Sequence, residues 1–225
     1  MKKMFVILIA VFMLAGCSSR QPSSGFLGEQ TKYAELQEDP TLENAKVWRK
    51  PGVGRIVDNY DAVIVAPVEL WLPQETIENS NISLEELQML AQFFHDALVR
   101  ELSKVTKVVD KPGPRVLRIE LAITYVKETD KVMNAITSVV PVGVVVSYTS
   151  RAVTGKHTNV GEIAIEAIGR DSMSGEVVGM YSDVKSGGKY SSANYERLGQ
   201  AKSAIDEWAE TMRKRFEERA RQNAK

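Results

Sequence analysis

Two stretches of this chain place apolar residues three or four positions apart, and between them the period drops to two. The first comprises Leu87, Leu90, Ala91, Phe94, Leu98, Leu102 and Val105, and the second Leu198, Ala201, Ile205, Trp208, Met212 and Phe216. Such spacing puts each set on one stripe of a helix, and the stripe must be buried against another element. Ser83 and Glu86, just ahead of the first set, have the S-x-x-E pattern of a capping box and mark where that helix starts. The second helix is expected over about 193–221, with its charge-rich end a solvated face.

Between the stripes, Leu117, Ile119, Leu121, Ile123 and Tyr125 alternate with Arg118, Glu120, Ala122 and Thr124, as in a half-buried strand. Ile163, Ile165 and Ala167 alternate in the same way with Glu162, Ala164 and Glu166, and the turn 171–175 sends the chain back over 176–184 as an antiparallel hairpin. The two glutamates then share the outer face about 13 Å apart, too wide for a glycosidase pair, and are expected on the solvent side. Residues 62–72 form a dense β-branched run, a first strand in which Pro67 calls for an edge or a bulge. The expected fold is α+β: a small, mainly antiparallel sheet of four to five strands, with two long amphipathic helices packed on one face.

The N-terminus carries an address. Lys2 and Lys3 precede an apolar run, residues 4–13, and Leu14-Ala15-Gly16-Cys17 has the form of a bacterial lipobox. The run is far shorter than the roughly 20 residues of a spanning helix, which argues against a retained transmembrane anchor. On this reading residues 1–16 are a signal peptide. Cys17 carries a diacylglycerol and an N-acyl chain, and no other cofactor is expected. Ser18, in place of aspartate, points to the outer membrane and its periplasmic face. Residues 17–24 form a flexible tether, 25–60 an extended arm and 61–221 the α+β domain. Cys17 is the only cysteine, so stability must come from an ordinary core, which 44% hydrophobic content can supply.

Removing Lys2 and Lys3 from the 29 basic side chains leaves 27 against 29 acidic ones, a charge near −2 that gives no reason to expect nucleic-acid binding. Only two histidines occur: His95 on the first helix, read as partly packed, and His157 in a polar loop. No metal-binding spacing, nucleophile elbow or phosphate loop is present, and Ser172 fits a hairpin turn. No catalytic, metal or small-molecule site is therefore expected. Residues 132–148 stand apart as the most apolar stretch after the signal. They read as a short helix and a buried strand, or as an exposed contact through Val139, Val142, Val144, Val145 and Val146 with the bilayer, a protein partner or a second copy.

Several of these pieces resemble one family. Gly25-Phe26-Leu27 with Tyr33 and Leu36, the run 65–71, and the hairpin 161–176 are similar to a bacterial lipoprotein family known as domain of unknown function 3313. The likeness spans about 25–216. It implies a lipoprotein with no assigned catalytic residues. Sequence and resemblance together predict a non-enzymatic, lipid-anchored binding or scaffolding module. The alternative is an accessory subunit of an envelope secretion or lipid-transport assembly, with 132–148 as its contact.

Overall fold

The computed structural model describes residues 23–74, 77, 81–127, 162–186 and 198–223. Cys17 and the 132–148 run lie outside them, as does His157. In chain order the elements are α1 (Gln30–Glu35), β1 (Gln37–Glu38), β2 (Lys46–Arg49), a 3-10 turn (Ile56–Asn59), β3 (Ala62–Val65) and β4 (Glu69–Leu70). They continue with α2 (Leu84–Leu102), β5 (Lys107–Val108), β6 (Val116–Lys127), β7 (Glu162–Asp171), β8 (Val177–Ser186) and α3 (Gly199–Asn223).

The architecture is α+β, but the expected small sheet is wrong. Among the described residues, one mixed sheet of eight strands runs β1-β2-β8-β7-β6-β3-β5, with β4 also paired to β6, and there are three α-helices. The extra strands have three sources. The run expected as one strand is two, both parallel to β6. Val65 faces Ile119 and Glu69 faces Ala122, four steps against three, so a bulge accommodates Pro67, which cannot donate to the ladder. After α2 the chain adds β5 parallel to β3. The segment expected as an extended arm contributes β1 and β2, with β2 antiparallel to β8. Strands of two residues show no periodicity, so they could not be read from the sequence.

The long helices behave as their stripes demand. Ser83 Oγ accepts from the Glu86 amide while the Glu86 side chain accepts from the Ser83 amide, so the capping box starts α2. Leu87, Leu90, Phe94, Leu98 and Leu102 are buried in one core with Ile205, Trp208 and Phe216 of α3. The sheet contributes Leu117, Ile119, Leu121, Ile123, Ile163 and Ile165 to the same core. Phe94 stacks on Trp208 with ring centroids 5.9 Å apart. The alternation of β6 breaks once. Pairing steps from Ile123 opposite Ile165 to Tyr125 opposite Ala164, so Thr124 is the extra residue. Val126, not Tyr125, therefore continues the core side.

Candidate functional site

The sheet's second face is where sequence and structure differ most. Strand alternation turns Glu166 away from the helices, as expected, but it does not reach solvent: the residue is 2% exposed. Residues 23–36 cross over it. Gly25 and Gly28, both at positive φ, shape a tight turn that brings the chain back toward α1. Leu27 from that turn packs on Ile168 of β7 and Met180 of β8, with Phe26, Tyr33, Leu36 and Trp48 around it. Phe26 also meets Trp71 edge-on at 5.6 Å.

Within this cover, Glu166 is a clamp. Ser24 Oγ donates to Glu166 Oε2 at 2.6 Å, and the Tyr33 hydroxyl donates to the same oxygen at 2.8 Å. The Ser24 amide donates to Oε1 at 3.4 Å. Tyr33 Oη in turn accepts from the amides of Gly25, at 2.8 Å, and Leu27, at 3.2 Å. Burial pushes the Glu166 carboxyl above its ordinary range, against the hydrogen bonds from Ser24 and Tyr33 that favour its charge. Burial, and then the Glu166 charge, push the Tyr33 phenol up to about 12, so it remains a donor at neutral pH.

Two more carboxylates join elements on the helix side. Asp183 of β8, 2% exposed, accepts from Trp208 Nε1 at 2.7 Å, from the Tyr181 hydroxyl at 2.8 Å and from the Val184 amide at 2.7 Å. Burial, then the Asp183 charge, raise the Tyr181 phenol far above its usual range. Asp39, just after β1, accepts from Arg215 of α3 at 2.7 Å and from the Thr41 hydroxyl and amide at 2.6 and 2.9 Å. Burial raises the Asp39 carboxyl, but Thr41 and Arg215 outweigh it and hold the group below its normal range. The Arg215 guanidinium also lies 6.0 Å from the Tyr181 ring centre, linking the two clusters.

Of the residues singled out from sequence, Cys17, Val139, Val142, Val144, Val145 and Val146 lie outside the described residues. His95 is half-buried on α2, its Nδ1 3.2 Å from Asp96. Ser172 bonds the Gly113 backbone and belongs to the hairpin end. Among the described residues no three His, Cys, Asp or Glu side chains converge as a metal set would, and no helix is long and apolar enough to cross a membrane. Glu166 is the residue misjudged, since alternation gives the face but not what lies on it. A signal was present: Ala122, Ala164, Ile168 and Met180 share that face and are not polar, so something had to cover it.

A mixed sheet covered by two long helices on one side, and on the other by an N-terminal strap held on a buried carboxylate, defines the class structurally. The chain belongs to the family described as protein of unknown function DUF3313, whose pattern matches residues 22–212. Comparison with curated proteins finds no match. Among solved structures, the PelC dodecamer from Paraburkholderia phytofirmans aligns at 10% identity and TM-score 0.37, covering 74% of this chain and 96% of that one. A DUF330 protein from Xanthomonas campestris aligns at 12% identity and TM-score 0.37, covering 78% and 93%. A minor lipoprotein from Acinetobacter baumannii aligns at 11% identity and TM-score 0.33, covering 72% and 95%. With TM-scores below 0.5, these are loose likenesses.

Proposed function

We propose that this chain is a lipid-anchored envelope protein of the outer membrane, facing the periplasm, that binds or scaffolds other envelope components and is not an enzyme. The observation that carries the reading is the use made of its three buried carboxylates. Glu166 joins the strap to the sheet, Asp183 joins the sheet to α3, and Asp39 joins the β1 end to α3. Each is satisfied by groups of the fold itself, an arrangement that holds a shape. A catalytic carboxylate would instead face substrate.

The lipobox supports the anchoring. Ser24 lies seven steps along the chain from Cys17, a reach of at most roughly 25 Å, so the clamped body stays close to its lipid. The contact segment we assign is 132–148. It is inserted between β6 and β7, whose last and first residues, Lys127 and Glu162, are paired. Glu166, where the strap is held, lies four residues along β7 from that point, roughly 13 Å. A tethered segment meets its partner at high effective concentration.

Palmitate labelling of wild type and Cys17→Ala, followed by membrane fractionation, tests the anchor; an unlabelled wild-type chain would refute it. Photo-crosslinking in cells from Val142 and Val145 tests the contact. A defined envelope protein should be captured from these positions and not from exposed Met89 on α2.

A further inference from the structure

The strap that follows the tether is held on Glu166. Among the described residues, every hydrogen bond that reaches the Glu166 carboxylate comes from the strap: the hydroxyl and amide of Ser24 and the Tyr33 hydroxyl. The sheet itself supplies none. With the strap lifted, Glu166 would return to water as an ordinary outward-facing strand residue. Burying a carboxylate is costly, and only those strap bonds offset it. Leu27 is the one buried apolar side chain between residues 23 and 36, and Phe26, Tyr33 and Leu36 beside it are only half-buried. The helix α1 has six residues and no side-chain cap, too short to persist once undocked. Closure thus sets the cost of desolvating Glu166 against the strap's hydrogen bonds and a small apolar contact, the composition expected of a segment that opens locally.

We infer that the strap 23–36 is a releasable latch on Glu166 that sets how far the body can stand from its lipid anchor. The inference rests on the anchoring reading of Cys17. Latched, the fixed point nearest the anchor is Ser24, roughly 25 Å away at most. Released, it becomes Gln37, paired with Val47, twenty residues from Cys17 and roughly 70 Å at full extension. Opening nearly triples the reach without disturbing the helix-side core, because the strap packs on the other face. The position of the 132–148 segment above the membrane would change with it.

The test uses the full lipidated chain in phosphatidylethanolamine–phosphatidylglycerol vesicles. Amide exchange is followed over 24–36, together with energy transfer from a dye on Met173→Cys, at the exposed β7–β8 turn, to labelled headgroups. Glu166→Ala should speed exchange of 24–36 at least tenfold, leave β6, β7 and β8 protected, and lower the transfer. Glu166→Gln, which keeps an acceptor for Ser24 and Tyr33, should leave 24–36 at least as protected as in wild type. The double variant Ser24→Ala/Tyr33→Phe should open the latch without touching the sheet, which guards against a misfolded Glu166→Ala. Unchanged protection of 24–36 in that double variant overturns the latch. Faster exchange with unchanged transfer overturns its control of reach. If the wild-type chain does not float with vesicles, the anchoring reading fails and the reach inference falls with it, while exchange alone still reports whether the clamp opens.

Discussion

Glu166 and Gly179 show how much single positions decide here. The Glu166 carboxyl is raised in the folded chain, so folding takes up a proton there. Its favourable contribution is present in full below the ordinary glutamate value near 4.5 and is lost as pH rises through the folded value. Wild type should therefore lose stability relative to Glu166→Gln as pH is raised from 4.5 to 8. Paired thermal melts cancel the other titrating groups; an equal gap at both ends would contradict a raised carboxyl. Gly179 matters for a different reason. A β-carbon there would lie 2.2 Å from Ile56 Cδ1, because the 3-10 turn packs directly on that stretch of β8. Gly179→Ala should cost about 1–3 kcal/mol by overpacking, and Ile56→Val in the same chain should recover part of it. Denaturant melts of the two single variants and the double give the coupling, and strict additivity would refute the steric account.

The long elements were legible because each repeats its signal many times. Six residues of one stripe and a two-residue cap define α2, and the structure starts the helix where Ser83 and Glu86 say it should. Ser83→Ala should cost about 1 kcal/mol, read from the shift in midpoint. Strands β6, β7 and β8 were readable for the same reason, except where bulges at Thr124 and near Arg170 change the phase. What stayed hidden has no period. β1, β4 and β5 are two residues each, and their pairing depends on neighbours distant in sequence. The covering of Glu166 was hidden likewise, since Ser24 lies 142 residues away. Helix α3 shows both sides. Trp208 was placed on the apolar stripe, and it is there, but its indole N–H also donates to Asp183, a polar role that spacing does not reveal. Trp208→Phe keeps an aromatic ring against Phe94 and removes the donor. It should cost about 1–3 kcal/mol, and less in an Asp183→Asn background, since the lost donor then leaves no buried charge.

At the scale of the molecule, the question is whether 132–148 belongs to the body or to a partner. Lys127 and Glu162 are paired, so β6 and β7 hold the ends of the insertion together whatever lies between them. The ladder from Leu117 opposite Asp171 to that pair secures the central sheet, and Asp39–Arg215 and Asp183–Trp208 secure α3 to it. These ties connect elements remote in sequence, so the body should melt as one unit. Val145→Asp separates the two cases. A buried charge within the core would cost several kcal/mol and unfold much of the population. The contact reading expects instead a melting midpoint equivalent to a change below about 0.5 kcal/mol, as for surface positions, with the crosslinks from Val142 lost. Circular-dichroism melts and crosslinking should be run on the same full-length variant, because only the combination of an intact body and lost capture supports the contact. A collapsed midpoint would assign Val145 to the core, and intact capture would show that the partner is held elsewhere.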